Sequence, residues 1–244
     1  MNLYGLIGHP LSHSFSKKYF TEKFEKENIA NSKYELFDID HIDKLSSILE
    51  KNHQLKGLNV TIPYKENVIP FLTELSSEAK DIGAVNTIKI EGSNLIGHNT
   101  DSFGFKQSLK PFIEINHERA LILGTGGASK AVAYALRSIN INCLFVSRNP
   151  KNENEISYDD VNKYVIKHHQ IIVNTTPVGT FPSVNEKPLI DYESISSSQL
   201  LYDLVYNPEE TMFLKEGKIK RAITLNGFQM LQLQAEKAWE IWNK

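Results

Sequence analysis

Residues 119–136, RALILGTGGASKAVAYAL, set a short apolar run directly against a helix-forming one, with Gly124, Gly126 and Gly127 between them. Four consecutive apolar residues ahead of glycines predict a buried strand, and the Ala-rich continuation predicts a helix packed back on it. Glycines at such a junction allow a tight turn and let the backbone approach a ligand closely. The helix N-terminus behind them attracts an anion with its unpaired N–H groups. A turn cluster in an ordinary α/β unit is the plainer alternative, but the strand before and the helix after favour a dinucleotide pyrophosphate site. The third glycine of the usual G-x-G-x-x-G pattern is Ser129, which leaves Ala128 and Ala131 to provide the close helix packing.

Working outward, strand-like and helix-like segments keep alternating. INCLFVS (141–147), HQIIVNTT (169–176), LLYDLV (200–205) and RAITLN (221–226) read as strands. YDDVNKYVIKH (158–168) and MFLKEGK (212–218) read as helices, and KNENEI (151–156) and SISSSQ (194–199) as polar loops. Continuous apolar strands between helices predict a parallel sheet covered on both faces. The strand after the glycine loop ends in Ser147 and Arg148, with Lys151 beyond, where an NAD site would place a carboxylate on the ribose. A guanidinium there suits a 2′-phosphate, so NADP is favoured over NAD; a solvated loop arginine is the weaker alternative.

Upstream, LYGLIG (3–8), YELFDI (34–39) and GLNVTIPYK (57–65) read as strands, separated by the helical patterns SKKYFTEKFEKENI (16–29) and HIDKLSSILEKN (41–52). AVNTIKI (84–90) and LIGHNT (95–100) flank EGSN as a hairpin, and Pro111 ends a helical linker that starts at Ser102. The final residues, from Gly227 on, form an amphipathic helix that returns to the first domain. Pro63 closes the third strand and leaves Lys65 just beyond its carboxyl end, the edge where open α/β sheets bind ligands. Ser12, His13, Ser14 and Ser16 join the first strand to its helix; one of these serines is accounted for as a helix cap. Asn59, Thr61, Asn86 and Asp101 add amides, a hydroxyl and a carboxylate from other segments, a set suited to a small polyhydroxylated acid.

Composition narrows the partners. Of 244 residues, 41% are hydrophobic and 23% charged, with a net charge of −2, so nothing draws the chain to nucleic acid or an anionic membrane. Cys143 is the only cysteine, which excludes an intrachain disulfide and fits a buried small hydrophobe in a reducing cytosol. The amino terminus lacks a signal pattern, and a cytoplasmic location is expected. Adjacent His168 and His169 point different ways in regular structure, and no metal is expected.

The ordered motifs GxxGHPLSHSFS, NVTIPYKE, GAVNTI, GHNTD, GTGGASKA, NTTPVGT, DLVYNPEETMFL and NGFQMLQLQA resemble those of the shikimate dehydrogenase family across the whole chain. The resemblance implies an N-terminal α/β substrate-binding domain with a mixed sheet, residues 1–101 completed by about 228–244. A C-terminal Rossmann-like NADP-binding domain, residues 102–227, follows, with the active site in the cleft between them. It further implies Lys65 and Asp101 as the catalytic pair. Ser14 and Ser16 would hold the substrate carboxylate, with Tyr206 alongside, and Asn59, Thr61, Asn86, Asp101 and Gln234 the ring hydroxyls. For the cofactor it implies Gly124, Gly126, Gly127 and Ala128 at the pyrophosphate, Ser147 and Arg148 at the adenosine phosphate, and Thr175, Pro177, Val178, Gly227 and Met230 around the nicotinamide.

The implied activity is the reversible NADPH-dependent reduction of 3-dehydroshikimate to shikimate by a monomer or homodimer, with Lys65 moving the proton. Lys17 stands where the family has proline, Ser147 where it has asparagine, and Thr180 where it has methionine, which bears on the cofactor contacts. A quinate dehydrogenase using NAD is the nearest rival. A non-catalytic nucleotide sensor, a different class, would be expected to lack the Lys65 and Asp101 pair.

Overall fold

The computed structural model describes residues 1–12 and 14–244; His13, in the serine-rich loop, lies outside the described residues. The chain divides into two units, Met1–Thr100 with Ala235–Lys244, and Asp101–Gln234.

The first unit contains β1 (Asn2–Gly8), α1 (Ser16–Lys26), β2 (Ser32–Asp38), α2 (Lys44–Lys51), β3 (Leu55–Val60), β4 (Glu74–Leu75), α3 (Ser77–Ile82), β5 (Thr87–Glu91) and β6 (Asn94–His98). Its sheet is mixed, in the order β2-β1-β3-β5-β6-β4. β1 runs parallel to β2 and β3, and β5 runs antiparallel to β3 and β6. Alternation along the strands sends side chains to two cores. Leu3, Ile7, Leu58 and Ile88 pack on one face with α2 and α3, and Tyr4, Leu6 and Tyr34 on the other with Phe20 and Phe24 of α1. α1 stops at Lys26, short of the expected Ile29. Asn28 takes a left-handed φ of 52° and the Ile29 N–H turns back to the Phe24 carbonyl, which closes the last turn.

The second unit contains α4 (Asp101–Leu109), β7 (Arg119–Leu123), α5 (Gly127–Arg137), β8 (Asn142–Ser147), β9 (Glu155–Ser157), α6 (Lys163–His168), β10 (Ile171–Asn174), β11 (Leu200–Asp203), α7 (Met212–Ile219), β12 (Ile223–Leu225) and the start of α8 (Phe228–Trp242), which passes into the first unit at Ala235. The order β12-β11-β10-β7-β8-β9, parallel throughout, is the doubly wound dinucleotide-binding order, with its switch point between β7 and β10. Leu121, Leu123 and Val146 face one core and Ala120, Ile122 and Phe145 the other, so both faces are covered as the continuous apolar strands required. α8 gives Met230 to this unit's core and Ala235, Ala238 and Trp242 to the first unit's.

Three local expectations are corrected. KNENEI is not loop throughout, because Glu155 and Ile156 begin the edge strand β9, paired with β8. YDDVNKYVIKH is not one helix. Tyr158–Asp160 forms a 3-10 turn capped by Ser157, and the Asn162 side chain then accepts the Tyr164 and Val165 N–H groups to start a new helix. Cys143 is half-buried rather than buried, and burial pushes its thiol up to about 11. No helix among the described residues is long and apolar enough to cross a membrane.

Candidate active site

Strand direction gathers the polar groups of the first unit at one sheet edge. Gly8 pairs with Asp38 and Ile7 with Val60, so β1, β2 and β3 end level with one another. β5 begins there, because it is antiparallel and Thr87 lies opposite Asn59, and β6 ends there, because His98 lies opposite Thr87. The serine loop, Asn59, Thr61, Lys65, Asn86 and Thr100 therefore share one rim.

The rim is held from below by side chains that meet in the structure. Asn59 is buried; its Oδ1 accepts from the Tyr34 hydroxyl at 2.8 Å, and its Nδ2 donates to the Asn86 carbonyl at 3.3 Å and to Thr87 Oγ1 at 3.2 Å. Asn86 Oδ1 accepts the Thr100 N–H at 2.7 Å, and its Nδ2 donates to Thr100 Oγ1 at 2.9 Å. Burial drives the pKa of the Tyr34 phenol far upward, so the phenol stays protonated. Ser14 braces the turn ahead of α1, with its Oγ accepting the Ser16 N–H at 3.3 Å, while the helix itself starts without a side-chain cap. Asp38, which the sequence reading passed over, anchors the same loop by accepting the Leu11 N–H at 2.9 Å and binding His9 Nδ1 at 2.6 Å. Those hydrogen bonds hold the Asp38 carboxyl below its ordinary pKa, with His9 the largest cause.

Lys65 sits farther from the strand than its motif implied, because the β3 ladder ends at Val60 and residues 61–68 form turns. The lysine's base is nonetheless fixed. Its carbonyl accepts the Val85 N–H at 2.7 Å, and neighbouring Tyr64 is buried and donates to the Ile39 carbonyl at 2.6 Å. Asp101 follows Thr100 directly and opens α4 of the second unit, with 6% of its surface exposed. Tyr206 and Gln234, also expected at the substrate, belong to the second unit and are half-buried; burial raises the Tyr206 phenol.

The second unit presents a loop-lined edge of its own, where β7, β8, β10 and β11 end level and β12 runs beside β11. Gly124 has φ +113°, which a side chain would strain, and a Cβ there would lie 2.8 Å from Thr175 Oγ1 across the switch point. A Cβ on Gly126 would meet nothing within 4 Å, and α5 starts at Gly127 without a side-chain cap. Open space before an uncapped helix start fits a pyrophosphate. Ser129, the misfit to the glycine pattern, is buried and donates to the Gly126 carbonyl at 2.6 Å, so it rigidifies the loop. Ser147 Oγ accepts the Asn149 N–H at 3.2 Å, and Arg148 is exposed at the tip of β8.

The loop carrying Thr175, Pro177 and Val178 is tied down by buried Asn174. Its Nδ2 donates to the Val178 carbonyl at 3.3 Å and to Asp203 Oδ1 at 3.0 Å, and its Oδ1 accepts from the Thr176 hydroxyl at 2.6 Å. Asp203 is fully buried and also accepts from Thr211 Oγ1 at 2.6 Å and the Val205 N–H at 3.0 Å, yet burial outweighs these donors and pushes its pKa up to about 6. Gly227 packs so tightly on the Leu204 carbonyl that a Cβ would overlap it, and Met230, three residues on, is buried. His168 and His169 each direct Nδ1 to a carbonyl of their own helix, Tyr164 and Val165. No metal-binding group of His, Cys, Asp or Glu forms among the described residues.

A sequence profile for the shikimate dehydrogenase substrate-binding domain matches residues 6–88. The NADP⁺ shikimate dehydrogenase of Carboxydothermus hydrogenoformans is 40% identical over 98% of this chain and 91% of its own, and that of Methanococcus maripaludis is 42% identical with the same coverage. A crystal structure of the Thermus thermophilus shikimate 5-dehydrogenase with NADP(H) and shikimate superposes with a TM-score of 0.87 at 32% identity, over 99% of this chain and 93% of that one. A quinate dehydrogenase from Corynebacterium glutamicum, solved with NAD, superposes equally well at 26% identity. Identity of this order along nearly the full length, with every motif in sequence, settles kinship: the chain belongs to the shikimate dehydrogenase family.

Proposed function

We propose that the protein catalyses the reversible, NADPH-dependent reduction of 3-dehydroshikimate to shikimate, a step of the pathway to chorismate and the aromatic amino acids. The observation that carries this reading is the full-length likeness to NADP⁺ shikimate dehydrogenases, joined to a sheet edge that presents hydroxyl, amide and amine groups together. Residues 1–101 with about 228–244 are read as the substrate-binding domain and 102–227 as the NADP-binding domain.

Bound NADPH would supply the hydride, held through Gly124, Gly126, Gly127 and Ala128, with Ser147 and Arg148 at the 2′-phosphate and Thr175, Pro177, Val178, Gly227 and Met230 around the nicotinamide. The remaining chemistry falls to the chain. Lys65 donates a proton to the oxygen that gains negative charge and takes it back in the reverse direction, while Asp101 binds the same hydroxyl. Ser14 and Ser16 hold the carboxylate, with Tyr206 alongside. Asn59, Thr61, Asn86 and Gln234 bind ring hydroxyls.

The test is spectrophotometric. Purified protein should reduce NADP⁺ with shikimate faster than NADP⁺ with quinate or NAD⁺ with either acid. Preference for quinate and NAD⁺ would move the chain to the rival activity, and silence with all four pairs would leave the nucleotide sensor.

A further inference from the structure

The buried hydrogen bonds beneath the rim fix which way the Asn59 amide points. An asparagine side chain looks nearly symmetric in shape, and only its partners decide which end is oxygen. The Asn86 carbonyl, which already accepts the Val60 N–H at 2.8 Å, can only accept, so the Asn59 end facing it is Nδ2. The other end is then Oδ1, and the Tyr34 phenol must donate to it. On the far side the second Nδ2 proton goes to Thr87 Oγ1, whose hydroxyl passes its proton on to Asn86 Oδ1 at 3.1 Å. Both Asn59 amide protons are used, and one lone pair of Oδ1 remains.

We propose that Tyr34 and Thr87 are positioning residues for the substrate: they lock Asn59 so that it offers a ring substituent one acceptor and no donor. The site then selects a hydroxyl over a carbonyl or ether at the ring position that Asn59 meets. Tyr34 is 1% exposed and Thr87 fully buried, so each acts through Asn59 rather than by contact with a ligand. This rests on the proposed shikimate dehydrogenase activity.

Thr87→Val and Thr87→Ser separate positioning from stability. Valine keeps the shape and loses the hydroxyl; serine keeps the hydroxyl and loses a fully buried methyl. Losing one buried neutral hydrogen bond in a ground-state contact raises KM for shikimate about fivefold in Thr87→Val, with kcat and the KM for NADP⁺ little changed. Thr87→Ser should keep a KM near wild type even though the loss of its buried methyl lowers the melting temperature. Tyr34→Phe, which retains the stacking of the ring on Phe20 at 4.5 Å, should show the same rise in KM alone. A KM raised as much in Thr87→Ser as in Thr87→Val overturns the proposal, as does Thr87→Val with unchanged KM. Wild-type protein that neither oxidises nor binds shikimate overturns the activity on which it rests, and the proposal with it.

Discussion

Replacing Gly57 by alanine should unseat the C-terminal tryptophan. Gly57 lies on β3, two residues before Asn59 and on the same face, and a Cβ there would fall inside the Trp242 indole, 2.6 Å from Cε2 and nearer still to Nε1 and Cδ1. The indole has nowhere to retreat. It is 6% exposed, stacks on Tyr4 at 5.0 Å, lies 5.4 Å from Phe20 and donates to the Ile88 carbonyl at 3.0 Å.

Expelling a buried tryptophan costs about 3–5 kcal/mol, the range found when such a side chain is truncated, and its lost hydrogen bond falls within that figure. Alanine returns roughly 0.5–1 kcal/mol because glycine loses more chain entropy on folding. The net is about 2–4 kcal/mol, or roughly 5–15 °C in melting temperature for a chain of this size. Calorimetry or circular dichroism would measure it, and Trp242→Phe supplies the control. The smaller ring leaves room, so Gly57→Ala should cost at least about 1 kcal/mol less in that background. A Gly57→Ala protein that melts within about 1 °C of wild type, or costs that are equal in the two backgrounds, would refute the packing argument.

Lys65→Ala should lower kcat by about a hundredfold or more while shikimate affinity changes little, measured by steady-state kinetics; a comparable fall in affinity alone would assign the lysine to binding. Arg148→Ala should raise the KM for NADP⁺ about tenfold or more and leave that for NAD⁺ nearly unchanged, because a charge-assisted contact to the 2′-phosphate is lost; equal effects on both cofactors would show that it does not read that phosphate. Asp203 gives a pH signature: its folded pKa of about 6 lies above its ordinary 3.8, so ionising it costs stability, a cost absent below pH 3.8 that grows as pH rises through about 6. Wild type should therefore gain about 2–2.5 kcal/mol relative to Asp203→Asn between pH 7 and pH 4 in denaturant titrations, and parallel profiles would contradict the assignment.

The two-unit α/β plan and nearly every strand were legible because apolar periodicity and glycine placement are local properties of the chain. The strand β9 was not: Glu155 and Ile156 follow Lys151 and three polar residues, and only the β8 edge beside them makes a strand of that stretch. Lys65, Asn59 and Asn86 could be singled out because polar groups at strand ends are unusual against the apolar strands that carry them. What the sequence could not divide was the rim from its support. Tyr34 and Thr87 lie within YELFDI and AVNTIKI, segments that read only as strands, and both are buried. Their hydroxyls matter through partners 25 and 28 residues away from Asn59 in sequence, and hydrogen-bond direction is decided only when every donor and acceptor is in place.

The same distinction explains why Ser129 and Asn174 serve the second unit without facing a ligand. Ser129 breaks the glycine pattern, yet its hydroxyl is turned inward to the Gly126 carbonyl and leaves the open side of the loop to backbone N–H groups. Asn174 spends its amide on Val178 and Asp203 and its oxygen on Thr176, so the loop expected around the nicotinamide is held by its neighbour β11 rather than by its own sequence. In both units, then, the groups available to a ligand are those left over once buried asparagines, serines and threonines have been satisfied. A substitution that preserves shape but alters that hydrogen-bond account should therefore change ligand binding before it changes the fold.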